Sequence, residues 1–268
     1  MKPAKLPTYF ISHGGGPWSY MQGEFRKNYE QLEAALKDIP RQIGCTPKAV
    51  LVISGHWEAP AFTVMTSPTP PMVYDYSGFP EETYHIHYRA PGSMEIARRV
   101  EALLQTAGLP VATDDKQGFD HGTFVPLSVI YPAGDVPVLQ LSLQRDYDPE
   151  AHLKVGQALA PLREEGVLII GSGLTYHNLR EFGPAARGPS KAFDDWLQQA
   201  LCNSTPEQRA QRLIDWEQAP SARQAHPHED HLLPLMVAVG AAYDETGECV
   251  YHEEMFFGGI TVSNFRFG

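Results

Sequence analysis

VLIIGSGLTYHNL, residues 167–179, sets four apolar residues against a Gly-Ser-Gly turn and then delivers a histidine. A short apolar run bounded by turn residues fits a strand buried on both faces, as in a parallel sheet covered by helices. Three further runs share this character: TYFIS (8–12), AVLVIS (49–54) and VPVLQLSL (136–143). Between them lie segments with helical spacing, at 25–38, 93–107, 149–163, 190–202 and 231–242. Ser93 is placed to cap the second of these, and Gly108 to end it. Strands alternating with helices predict an α/β fold with a central, largely parallel or mixed sheet and helices on both faces. ECVYHEEMF and ITVSNFRF, around Gly258-Gly259, predict a terminal strand pair.

The chain has 268 residues, 43% of them hydrophobic, with 23 Gly and 23 Pro spread throughout. No repeat or linker divides it, so residues 1–268 are expected to form one domain. A net charge of −11 argues against a nucleic-acid or anionic-membrane surface. Cys45, Cys202 and Cys249 form no CxxC and no disulfide framework, which predicts reduced thiols in a cytoplasmic protein. The N-terminal stretch lacks the long apolar core of a signal peptide, and the longest apolar runs are too short to span a bilayer. Nothing in the pattern specifies an assembly, so a monomer or small homo-oligomer is expected.

In open α/β sheets ligands gather beyond the carboxyl ends of strands. His13 follows YFIS in SHGGGP, His56 follows AVLVIS in SGHWE, and His177 follows VLIIGSG. A lone histidine after a strand is more often a satisfied loop or core residue than a ligand. Three such residues, each beside Gly or Ser, point to a site, and neutral imidazole suits Fe, Zn, Cu and Ni. His231 stands at the start of the apolar helix in HPHEDHLLPLMVAVGAA (226–242), while His226 and His228 read as a polar capping loop. HExxH is absent, as are GxGxxG and the P-loop, so neither a zincin nor an organic nucleotide cofactor is expected.

Taken together, SHGGGP, SGHWE, YRAPGS, GFDHGTFVPL, QLSL, GSGLTYHNL and EDHLLPLMVAVGAA resemble the class III extradiol ring-cleavage dioxygenases, the LigB-like family. The nearest likeness is to the DOPA 4,5-dioxygenase-type branch, over about residues 8–265. The resemblance implies a metal held by His13, His56 and His231, with Glu229 left as an alternative carboxylate ligand. It implies catalytic roles for His177, as base or further ligand, and for His121, which contacts substrate or oxygen. Fe(II) is the implied cofactor, with Zn(II) able to use the same donors. The implied partners are a small catecholic aromatic and O2, which is inserted with ring opening.

Two positions extend this reading. Trp18 departs from the family's first motif and, with Tyr20, is a candidate for the substrate wall or for packing on the loop. Arg89 shares one face of an extended segment with His85 and His87, and is a candidate anchor for a substrate carboxylate. The competing readings are a zinc-dependent hydrolase built on the same histidines and a non-catalytic metal-binding relative.

Overall fold

The computed structural model describes residues 5–268; the first four residues, part of the stretch read for a leader, lie outside it. Eight strands form one mixed sheet: β1 (Thr8–Ser12), β2 (Ala49–Ala59), β3 (Phe62–Met65), β4 (Val111–Asp114), β5 (Val138–Gln144), β6 (Val167–Gly173), β7 (Gly247–Phe256) and β8 (Ile260–Phe267). Their order is β4-β3-β5-β2-β6-β1-β8-β7. The four apolar runs of the sequence form the central parallel block β5-β2-β6-β1. β8 returns antiparallel to β1 and pairs with β7 as the expected terminal hairpin. β3 and β4, each only four residues long, extend the opposite edge, with β3 antiparallel to β5.

The alternation of β6 shows how both faces are covered. Ser172 Oγ donates to the Gly122 carbonyl in the His121–Ile130 helix, on one face. Its neighbours Gly171 and Gly173 point the other way. A Cβ on Gly171 would stand 2.2 Å from the Pro234 carbonyl oxygen, and one on Gly173 would stand 2.0 Å from that of His231. Glycine at both positions therefore lets the Leu233–Ala241 helix and its lead-in press onto the sheet. The Leu233–Ala241 helix is wholly buried and the His121–Ile130 helix is buried except at Ser128, which is why their apolar residues are not confined to one stripe.

Element boundaries differ from the periodic reading in instructive ways. The 25–38 helix breaks around Asn28–Tyr29, giving Glu24–Lys27 and then Glu30–Ile43. Tyr29 turns inward at the break and stacks on Trp18, ring centroids 4.7 Å apart. The 149–163 helix ends at Leu159 and restarts at Pro161, where a continuing helix would lose its N–H. β2 runs to Ala59 with an irregular register between Ile53 and Glu58, so His56 lies on the strand rather than after it. No helix of the described residues is long and apolar enough to cross a membrane.

Candidate metal centre

Three histidines converge where the central strands end. His13 follows β1 directly, His56 lies in the irregular part of β2, and His231 precedes the Leu233–Ala241 helix. The Nε2 atoms of His13 and His56 are 3.1 Å apart, as are those of His56 and His231. With metal–imidazole bonds of about 2.1 Å, adjacent donors around one ion lie roughly 3.0–3.4 Å apart, so the spacing fits a shared cation.

The partners of the outer ring nitrogens fix the tautomers. Ser172 Oγ gives its proton to Gly122, so at 3.0 Å it accepts from His13 Nδ1–H. His56 Nδ1 lies 3.2 Å from Asp75 Oδ2, and His231 Nδ1 lies 2.7 Å from Asp230 Oδ2. A carboxylate there accepts the Nδ1 proton, which leaves Nε2 as a bare lone pair. Three bare nitrogens facing one another at this distance repel unless a cation stands between them. The donor set therefore fits a divalent metal, and the same three residues form a cluster able to hold one.

Burial is the main reason these imidazoles stay neutral. It drives His13 and His231 well below the ordinary histidine value, and neighbouring imidazoles push further in the same direction. His56 is lowered to about 3, by burial first and then by His121, with Asp75 opposing. Neutral imidazole is the ligating form, so no proton has to be displaced when a metal arrives.

Two more histidines border the trio. His177 stacks face to face on His231, centroids 3.4 Å apart and planes 14° apart, and burial lowers its pKa. Its backbone N–H is tied to the Ala225 carbonyl at 2.9 Å. His121 sits 4.0 Å from the His56 ring and gives its Nδ1 proton to Asp75 Oδ1 at 2.9 Å. Asp75 thus orients His56 and His121 together and also accepts the His121 backbone N–H. Burial raises the Asp75 carboxyl, but the hydrogen bond and charge of His121 and His56 bring it below its usual range.

His121 begins its helix because Asp120 caps it, accepting from the Thr123 N–H. That carboxylate is wholly buried and also accepts from Ser54 Oγ and Gln140 Nε2, each at 2.7 Å. Burial raises its pKa to about 6. Gly122 is needed beside it, since a Cβ there would meet Ser54 Oγ at 2.5 Å and His56 Cδ2 at 3.0 Å.

All five histidines open into a cavity of about 350 Å³. Its other walls are the backbone of Gly14–Gly16, Tyr29, the carboxylates Asp75 and Asp230, and the apolar residues Leu174, Leu179, Phe182 and Phe256. Tyr29 is a wall residue that the sequence did not reveal; its hydroxyl accepts from the Gly15 N–H at 3.1 Å.

Two candidate substrate contacts stand elsewhere. Trp18 is fully buried behind the loop, donating Nε1–H to the His13 carbonyl at 2.7 Å. The left-handed turn at Gly14 (φ 78°) folds the chain so that this indole packs under it. Arg89 is exposed beside His87 and lines a separate surface cavity with Arg26 and Lys37. His85 ends a 3-10 turn rather than continuing the extended run. Glu229 pairs with Arg223 at 2.7 Å and is absent from the cavity wall. His226 is buried with Nε2 3.1 Å from the Thr175 carbonyl, and His228 is exposed against Tyr147.

The comparisons cover the chain nearly end to end. Residues 7–268 match the family described as the catalytic LigB subunit of aromatic ring-opening dioxygenase. A 4,5-DOPA dioxygenase extradiol from Beta vulgaris is 40% identical over 97% of this chain and 96% of that protein. A protein of the same name from Mirabilis jalapa is 36% identical over 88% and 86%. In the solved structure of the uncharacterized protein JW3007 from Escherichia coli K12, the fold superposes with a TM-score of 0.80 at 26% identity, covering 98% of this chain and all of that one. Since the match runs the whole length of the sheet and includes every strand that carries a histidine, the chain belongs to the LigB family of aromatic ring-opening dioxygenases.

Proposed function

We propose that the protein is an extradiol dioxygenase that opens the ring of a small catechol, with Fe(II) held by His13, His56 and His231. The observation that carries this reading is the set of three bare Nε2 atoms, two pairs of them 3.1 Å apart, each oriented through Nδ1 by Ser172, Asp75 or Asp230. Bound there, iron supplies a Lewis acid for the catecholate and a redox partner for dioxygen, which zinc, having no redox chemistry, does not.

The protein's own residues do the rest. His177, kept neutral by burial, takes a proton from one catechol hydroxyl and holds it at the edge of the site for later return. His121, with its Nδ1 proton on Asp75, presents Nε2 as an acceptor for a second hydroxyl or a donor once protonated. Leu174, Phe182 and Phe256 flank the ring and exclude water, which strengthens each polar contact inside. The Gly14–Gly16 backbone lets the ring approach closely, because no side chains project from that wall.

The test is oxygen uptake by anaerobically purified, Fe(II)-loaded protein with 4-alkylcatechols, DOPA and protocatechuate. Stoichiometric uptake with a yellow ring-opened semialdehyde is expected. Full metal loading without uptake from any catechol contradicts the reading and favours hydrolysis or binding at the same histidines.

A further inference from the structure

The charge around the cavity carries a statement about its substrate. Its wall contains two carboxylates, Asp75 and Asp230, and among the described residues no lysine or arginine. Arg89, the sequence candidate for a carboxylate anchor, belongs to the other cavity, where Arg26 and Lys37 accompany it and Glu33 pairs with both of these. Arg180 shares a loop with Leu179 and Phe182 but is not part of the wall. The mouth is apolar: Leu179 and Phe182 line the cavity while remaining 70% and 38% exposed.

From this inventory, and resting on the ring-opening function above, we propose that the site selects catechols whose ring substituent is neutral or carries an ammonium group, and disfavours those with a lone carboxylate. The catechol hydroxyls are common to all such molecules, so they cancel in a comparison. What differs is the substituent, which must lie against the apolar wall and mouth. A carboxylate there sheds water with no cationic side chain to replace it, against a mouth that is apolar. Asp75 and Asp230 carry as much negative charge as a bound divalent metal carries positive, so a carboxylate substituent finds no net attraction at the wall, whereas an ammonium can lie toward the two carboxylates. A propyl group loses nothing on the same path and gains from burial against Leu174, Leu179 and Phe182.

Three catechols of nearly equal size separate the cases: 4-propylcatechol, dopamine and 3-(3,4-dihydroxyphenyl)propionate. Their binding to the Fe(II)-loaded protein is measured by anaerobic calorimetry, and their oxygen uptake is measured separately. Dopamine and 4-propylcatechol are expected to bind at least about tenfold more tightly than the propionate. Leu179→Lys, which places a cation at the exposed mouth, is expected to narrow that gap several-fold by improving the propionate alone. Equal or tighter binding of the propionate by the unaltered protein overturns the proposal, even if all three are cleaved. The expected order of binding with no oxygen uptake leaves the charge preference standing and contradicts the catalytic reading instead. Binding of none of the three overturns both.

Discussion

His177 lies flat on His231, with ring centroids 3.4 Å apart and planes 14° apart. The stack sets His177 directly against one of the three clustered imidazoles. In the three-histidine centre proposed above, His231 is the ligand of the pair and His177 the proton-handling group.

His177→Gln is therefore expected to retain its metal while turnover falls by about 100- to 10,000-fold, the usual worth of a positioned acid–base group. Metal content by elemental analysis, set beside steady-state oxygen uptake, separates the two effects. Loss of the metal together with activity identifies His177 as a ligand.

Asp75 joins two imidazoles through one carboxylate, at 3.2 Å to His56 and 2.9 Å to His121. An asparagine keeps the shape but offers one acceptor where two are needed. Asp75→Asn is expected to lower metal affinity about 10- to 100-fold, read by competition with a chelator of known affinity. An unchanged affinity removes Asp75 from the account of ligand orientation.

Gly173 is required by the close approach of His231. An alanine Cβ would stand 2.0 Å from the His231 carbonyl oxygen, whereas one at Gly188 meets nothing within 4 Å. Gly173→Ala should lose about 1–3 kcal/mol of stability by overpacking and weaken metal binding as well. Gly188→Ala, in the Arg187–Cys202 helix, should gain about 0.5–1 kcal/mol. Urea midpoints of both variants check the pair, and equal effects contradict the packing argument.

Acid stability follows from a histidine outside the metal cluster. Burial lowers His226 to about 3, with its ring held against the Thr175 carbonyl. Between the unfolded value near 6.5 and about 3, the unfolded chain binds a proton that the folded chain refuses. Stability linked to His226 is therefore full above about pH 6.5 and declines as pH falls below it. Metal-free protein carrying His226→Gln, which keeps a donor but does not titrate, is expected to show a shallower loss of urea midpoint from pH 7.5 to 4.5. An identical slope excludes His226 as a source of the acid sensitivity.

Much of this site was legible because strands announce themselves. His13 comes directly after an apolar run and His177 in the loop after another, and the sheet rule places such positions at one rim. His56 was singled out for the same reason, although it proved to lie within an irregular strand, whereas His231, ahead of a helix, was given its role by the family resemblance. Asp75 was not legible: it lies in an extended, aperiodic segment held beside the site by long-range contacts, among them the bridge of Met72 to Phe119. Tyr29 was read as one position of an amphipathic helix, and the break that turns it inward comes from tertiary packing on Trp18. β3 and β4 are too short to stand out from noise. Alternation correctly placed His87 and Arg89 on one face, but periodicity does not reveal which cavity that face adjoins.

The most direct test of the account is metal stoichiometry in the unaltered protein and in His13→Ala, His56→Ala and His231→Ala. The account predicts one Fe(II) per chain in the first and loss of retained metal in each variant, with folding checked by circular dichroism. Full occupancy in His231→Ala, with the protein folded, would contradict the three-histidine centre and return the third position to another donor.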